Sequence, residues 1–360
     1  MKKTILIDNI NIKFKKIIIL KDNKIASCTQ DGFIYIYLYN NNNKDIFDNN
    51  NRFQNNNTVF FNSKNFIELY YNNNYNIWGS FQRENNLFKN YNKILSNNNL
   101  CFACIKVTDC GAALDILEMS DGNIISCGED GSVNITKVTK QNAFYINGGA
   151  PTNSSMNKII KLSDDNFLIC SSDGHLYYYK YKSKEEALDI FKIIYLGGNI
   201  LTFYRYNSNE YLVGTYERRN NINKYYLKFY DNNNQLTTLI ELEKISIGQT
   251  FEKINDNKII FSQQNKIMIF NLKNHSFSYV INLNDLLTTI YVFLKINDKV
   301  LLGGGQNGFI YEFEIKNNTV SLKNKINAHN NLIVSDIIKY GDKNIITCGY
   351  DGKIIIWKLE

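Results

Sequence analysis

Proline is all but missing from this chain of 360 residues, occurring once, at Pro151. The shortage goes with heavy use of Asn, Ile, Lys and Tyr, a skew that reads as codon bias, so the Asn tracts carry no functional argument. Histidine is nearly as scarce: His175, His275 and His329 are too few and too scattered for a catalytic or metal cluster. Long apolar runs are missing too. Stretches such as Ile17-Ile18-Ile19-Leu20 fall far short of the roughly 20 residues that span a bilayer. There is no dense basic block either, since 41 Lys and Arg stand against 34 acidic residues and the net charge of +7 is spread along the chain. That mild surplus helps solubility and calls for no nucleic acid. A phosphate-cradling Gly-rich loop, paired catalytic carboxylates and a Gly-x-Ser-x-Gly elbow are also absent. Neither an enzyme nor a cofactor is expected.

Met1-Lys2-Lys3 has the basic start of a signal peptide, but Asp8, Asn9 and Asn11 interrupt the apolar stretch that should follow, so no signal is read. A soluble protein is expected. Seven cysteines in such a chain suit a reducing compartment, cytoplasm or nucleus, where they stay thiols. With 44% hydrophobic residues the chain can bury a large core, as one closed repeat architecture or as two ordinary domains.

Repetition decides between them. Ile125-Ser126-Cys127-Gly128-Glu129-Asp130-Gly131 stands beside Ile346-Thr347-Cys348-Gly349-Tyr350-Asp351-Gly352, with shorter echoes at Cys28 to Gly32 and Cys170 to Gly174. Each is an apolar strand running into an Asp-Gly turn, where Gly takes the positive φ and Asp bonds its own backbone. Turn signals recur near residues 31, 85, 130, 173, 219, 265, 307 and 351, a spacing close to the 40–45 residues of a four-stranded propeller repeat. A strand ending in a polar turn precedes each pair and an outer strand follows, as in Leu236 to Leu242. The expectation is one all-β propeller over 1–360, with a polar Asn-rich insertion at about 40–57. Eight blades are preferred and seven are the alternative, because the unit at 66 to 107 is the poorest copy. The last unit stops at its third strand, Lys353 to Leu359, and Thr4 to Asp8 has the length and character to complete it and close the ring.

The last unit resembles the WD40-repeat family: Ala328-His329 stands for the usual Gly-His, then come Thr347, Asp351-Gly352 and Trp357-Lys358. The resemblance implies a hydrogen-bonded structural tetrad of His329, Thr347, Asp351 and Trp357 that fastens loop, turn and strand together. Other units carry Tyr37, Thr136, Tyr179, Phe270 and Phe313 near the Trp position and no matching His.

The remaining candidates for chemistry have plainer explanations. Cys101-x-x-Cys104 with Cys110 has a zinc-like spacing, but it sits on a strand, where residues three apart face opposite sides, and a second ligand pair is lacking, so no metal is expected. Cys28, Cys127, Cys170 and Cys348 each lie three before a turn Asp and read as one repeated packing position. Arg218-Arg219, the kind of pair used by phosphoinositide-binding propellers, is followed by Asn220 where Gly is usual, and reads as a solvated turn.

By analogy with WD40 propellers, the expected function is a non-catalytic scaffold or adaptor for protein or peptide partners within a larger complex. Phosphoinositide binding at a membrane surface is the alternative, and an enzyme on a propeller ranks below both. The candidate face is formed by the residues just before each turn Asp or Asn, namely Gln30, Glu129, Ser172, Gln306 and Tyr350, which vary while the framework repeats. Tyr350 is the preferred anchor, as an exposed aromatic.

Overall fold

The computed structural model describes residues 1–8, 12–37, 101–140, 143–207, 210–219, 221–242, 251–263, 266–282, 288–316 and 319–359. Among them, 28 strands form seven four-stranded antiparallel sheets. The first strand, β1 (Lys2–Asp8), belongs with the last three. Blade 1 is β2 (Phe14–Ile19), β3 (Ile25–Thr29), β4 (Phe33–Tyr37) and β5 (Cys101–Lys106). Blade 2 is β6 (Ala113–Glu118), β7 (Ile124–Gly128), β8 (Val133–Val138) and β9 (Ala143–Gly149). Blade 3 is β10 (Met156–Lys161), β11 (Asn166–Ser171), β12 (His175–Lys182) and β13 (Ala187–Tyr195). Blade 4 is β14 (Asn199–Arg205), β15 (Tyr211–Arg219), β16 (Ile222–Tyr230) and β17 (Leu236–Leu242). Blade 5 is β18 (Glu252–Asn255), β19 (Lys258–Gln263), β20 (Lys266–Asn271) and β21 (Ser276–Asn282). Blade 6 is β22 (Ile290–Lys295), β23 (Val300–Gly305), β24 (Phe309–Lys316) and β25 (Thr319–Asn327). Blade 7 is β26 (Val334–Tyr340), β27 (Asn344–Gly349) and β28 (Lys353–Lys358), with β1 outside β28.

The expectation of eight blades is therefore corrected to seven. Cys101–Lys106, assigned from sequence to an eighth unit at 66 to 107, pairs with β4 from Phe33↔Lys106 to Tyr37↔Cys101 and is the outer strand of blade 1. The rest of that unit and the insertion at 40–57 lie outside the described residues, as does the turn at 264–265.

A blade is sandwiched between two others, so its middle strands bury both faces and lose the in–out alternation of a one-sided sheet. β3, β4 and β7 are buried throughout. Seven clusters of buried apolar residues fill the spaces between neighbouring sheets, one for each pair around the ring. Between blades 2 and 3, for example, Ile125, Cys127 and Val133 meet Phe167, Ile169 and Tyr179. Each fully buried aliphatic or aromatic side chain stabilises by about 1.5–3 kcal/mol. The outermost strands have no sheet beyond them and are largely exposed, as β13 and β25 show. β1 runs antiparallel to β28 from Lys2↔Lys358 to Asp8↔Lys353, so one blade is built from both ends of the described chain.

Candidate functional site: the turn-bearing face and the inner charges

Five of the hairpin turns between second and third strands hold a Gly at positive φ: Gly32, Gly131, Gly174, Gly308 and Gly352. The carboxylate before the Gly ties its turn together. Asp130 accepts from the Ser132 N–H at 3.1 Å, and Asp173 from the His175 N–H at 3.0 Å.

In blade 7 this local device extends into a buried chain. His329 Nδ1 lies 2.7 Å from Asp351 Oδ1 and His329 Nε2 lies 2.9 Å from Thr347 Oγ1, while Trp357 Nε1–H donates to the same Oγ1 at 2.9 Å. The carboxylate accepts the Nδ1 proton, which leaves Nε2 to accept from the Thr347 hydroxyl. All four residues are buried, and Gly349 makes room for the ring, because a Cβ there would stand 2.5 Å from His329 Nδ1. The chain joins the loop after β25 to the β27–β28 turn and to β28. Thr108 occupies the corresponding place in blade 2, packed over Gly128, and the neighbouring Asp109 N–H donates to Asp130 at 2.6 Å. No sequence signal marked these loop residues, because this loop lacks the His that marks its equivalent before blade 7.

The residues expected to form the candidate face share one backbone slot. The N–H groups of Gln30, Glu129, Ser172 and Gln306 donate at 2.9 Å to the carbonyls of Lys13, Ala112, Ser155 and Thr289, and Tyr350 donates to Ile333 at 3.0 Å. Each acceptor directly precedes an innermost strand, so five blades present one side chain apiece at the same height. Glu129 and Gln306 are exposed. Tyr350 differs from its description as an exposed aromatic: it is half-buried, with Lys15 Nζ 5.0 Å and Lys13 Nζ 6.0 Å from its ring centre. Burial first, and the Glu129 carboxylate second, push its hydroxyl up to about 12, so it stays protonated at neutral pH. Blade 4 instead sends up a longer hairpin, paired as far as Arg219↔Ile222, with Arg218 and Ile222 exposed near its tip.

Below this face the innermost strands carry a set of charges. Lys16, Asp115, Lys158 and Asp336 hold equivalent register positions after a bulge in β2, β6, β10 and β26, opposite Cys28, Cys127, Cys170 and Cys348 respectively. Around the ring, from blade 7 to blade 3, their signs alternate. Lys16 Nζ lies 3.2 Å from Asp336 Oδ2, and that oxygen also accepts from Ile17 N–H at 3.1 Å. Asp115 does the same two seams further on, between blades 2 and 3, accepting from Ile159 N–H at 2.9 Å. Burial opposes the charge on Lys16, but Asp336 and Asp115 overcome it and raise its pKa. Burial raises the pKa of Asp115, whereas burial, reinforced by Lys16, lowers that of Lys158. Burial also pushes the Cys170 thiol up to about 12, as expected of a packing residue and not of a reactive thiol. A sequence signal for this ring existed, since each charged residue directly precedes an Ile.

Comparison with known proteins agrees with the architecture. A family profile described as "WD domain, G-beta repeat" matches residues 320–358. A WD repeat-containing protein of Acanthamoeba polyphaga mimivirus is 27% identical over 136 residues, which is 37% of this chain and 25% of that protein. The whole fold is similar to the WD40 β-propeller domain of Doa1, with a TM-score of 0.64, 11% identity, and 100% of this chain and 98% of that one covered. It is similar in the same degree, with a TM-score of 0.64 and 9% identity, to a chain in the crystal structure of the Mitotic Checkpoint Complex, covering 99% of this chain and 93% of that chain. The fold is therefore that of a WD40-type β-propeller, and its last repeat matches the WD40 family profile.

Proposed function

We propose that this propeller is a non-catalytic adaptor that uses the turn-bearing face to hold a segment of a protein partner within a larger complex. The observation that carries this is the common slot: Gln30, Glu129, Ser172, Gln306 and Tyr350 are fixed by the same backbone bond while their side chains differ. A rigid frame with varied tips lowers the ordering cost of recognition and leaves specificity to a few side chains. The likeness to a chain solved within a multi-protein assembly supports the analogy. Cytoplasm or nucleus is the proposed setting, in keeping with the thiols of Cys28, Cys104, Cys110, Cys127, Cys170 and Cys348, none of which is in a disulfide. Affinity purification from the native cell should recover partners whose binding falls in Tyr350→Ala and Glu129→Lys while the thermal melt is kept. Normal binding by both variants, or capture by phosphoinositide vesicles and not by protein, refutes this reading.

A further inference from the structure

The broad outer strand β13 differs from the other outer strands. Its sequence, Ala-Leu-Asp-Ile-Phe-Lys-Ile-Ile-Tyr, leaves Phe191, Ile193 and Tyr195 between 53% and 67% exposed on the last strand of its sheet. An outer strand is normally protected by charge, as β25 is by Lys323 and Lys325. Beside β13 lies an open groove of about 540 Å³. Its floor and walls come from Tyr178 on β12, Leu162 and Asn166 at the β10–β11 turn, and Phe191 with Lys192 on β13. Consecutive strand residues ordinarily face opposite ways, but the β12–β13 register shifts between Tyr178↔Lys192 and Tyr179↔Ile190. The bulge lets Phe191 and Lys192 line the same groove. Phe191 then stands edge-on to Tyr178, at 6.1 Å and 67°, and Lys192 Nζ sits 5.5 Å from the Tyr178 ring centre.

The charge of this groove is one-sided. Lys180 and Lys192 line it, both are exposed, and among the described residues neither has an ion pair. Of the carboxylates nearby, Asp189, across the strand pair from Lys180, is held by Lys182 at 2.5 Å, and Asp164 by Lys161 at 3.0 Å; among the described residues no carboxylate lines the groove itself. The volume falls within the roughly 300–1,000 Å³ of ordinary ligand pockets. Its openness along an apolar strand suits a chain segment more than an enclosed small molecule. The bulge disrupts the regular ladder that strand addition needs, so an occupant would be held by its side chains.

We infer that the groove between Tyr178, Phe191, Leu162 and the Lys180–Lys192 pair is a second docking site, for an extended acidic segment of a protein partner that inserts a large apolar side chain between two cationic flanks. The site lies on blade 3 and is separate from the turn-bearing face, so the two stand or fall independently. The test is fluorescence anisotropy on the full chain with a labelled peptide whose central Leu-Phe pair is flanked by acidic residues, beside a control in which those residues are lysines. Saturable binding of the acidic peptide alone is expected. It should weaken about tenfold or more in Lys180→Glu/Lys192→Glu and in Phe191→Ala, and stay unchanged in Tyr350→Ala. The lysine variant changes only exposed positions and keeps the test sound if Phe191→Ala folds poorly. Equal binding of the two peptides, undiminished binding by the charge-reversed variant, or lysine-dependent capture by phosphatidylserine vesicles in place of the peptide would overturn the inference.

Discussion

Replacing Asp351 with alanine removes the acceptor at the end of the buried chain in blade 7. Two donors lose it: His329 Nδ1, 2.7 Å away, and the Lys353 N–H at 3.2 Å. An orphaned buried donor costs about 1–3 kcal/mol, and the His329 group is the one sealed from water. The Lys353 amide lies at a turn where solvent can reach it, so its share is smaller. Against this, Asp351 Oδ2 is buried without a partner, and removing the carboxylate returns part of its desolvation cost. The balance is a loss of about 2–3 kcal/mol for Asp351→Ala. Asp351→Asn keeps an acceptor in place and should cost about 1 kcal/mol. Urea unfolding followed by far-UV circular dichroism gives both values. A loss below about 0.5 kcal/mol for alanine, within the range of ordinary surface substitutions, would show that the chain is not energetically coupled. Equal losses for the two variants would show that charge, and not the acceptor, is what counts.

Two further outcomes follow from the ring. Deleting residues 2–8 strips the outer strand from β28 and withdraws the buried Leu6 and Ile7, so gel filtration should show association in place of a single peak; an unchanged profile and melt would refute the closing role of β1. For Lys158 the folded pKa is lowered, so folding disfavours its protonated form, and that penalty is present below the lowered value and fades as the pH rises towards the ordinary value of 10.5. Lys158→Met should therefore stabilise the protein at neutral pH and flatten the rise in stability on the alkaline side, measured as unfolding free energy against pH; a destabilised variant with the wild-type slope would refute this.

Much of the blade pattern was legible because its signals are local. An apolar run into Asp-Gly specifies a hairpin whatever surrounds it, and the turns at Asp31, Asp130, Asp173 and Asp351 stand where that chemistry placed them. The same locality misled the count. In a chain rich in Ile, Tyr and Asn many segments look like strands, and only pairing shows which sheet claims them. Cys101–Lys106 has the composition of a new blade and the hydrogen bonds of blade 1.

The candidate site divides in the same way. The five tip positions were legible because each follows from a repeated offset to a turn, whereas the tetrad members came from the resemblance of the last unit to a WD40 repeat. Tertiary structure decided that Tyr350 lies half-buried beneath two lysines and that a bulge turns Phe191 into the groove beside Lys192. It also brought Asp336 to Lys16, 320 residues apart in sequence. Offsets of a few residues are properties of the backbone, whereas a contact across the ring exists only once every blade has packed against its neighbour and the first strand has met the last.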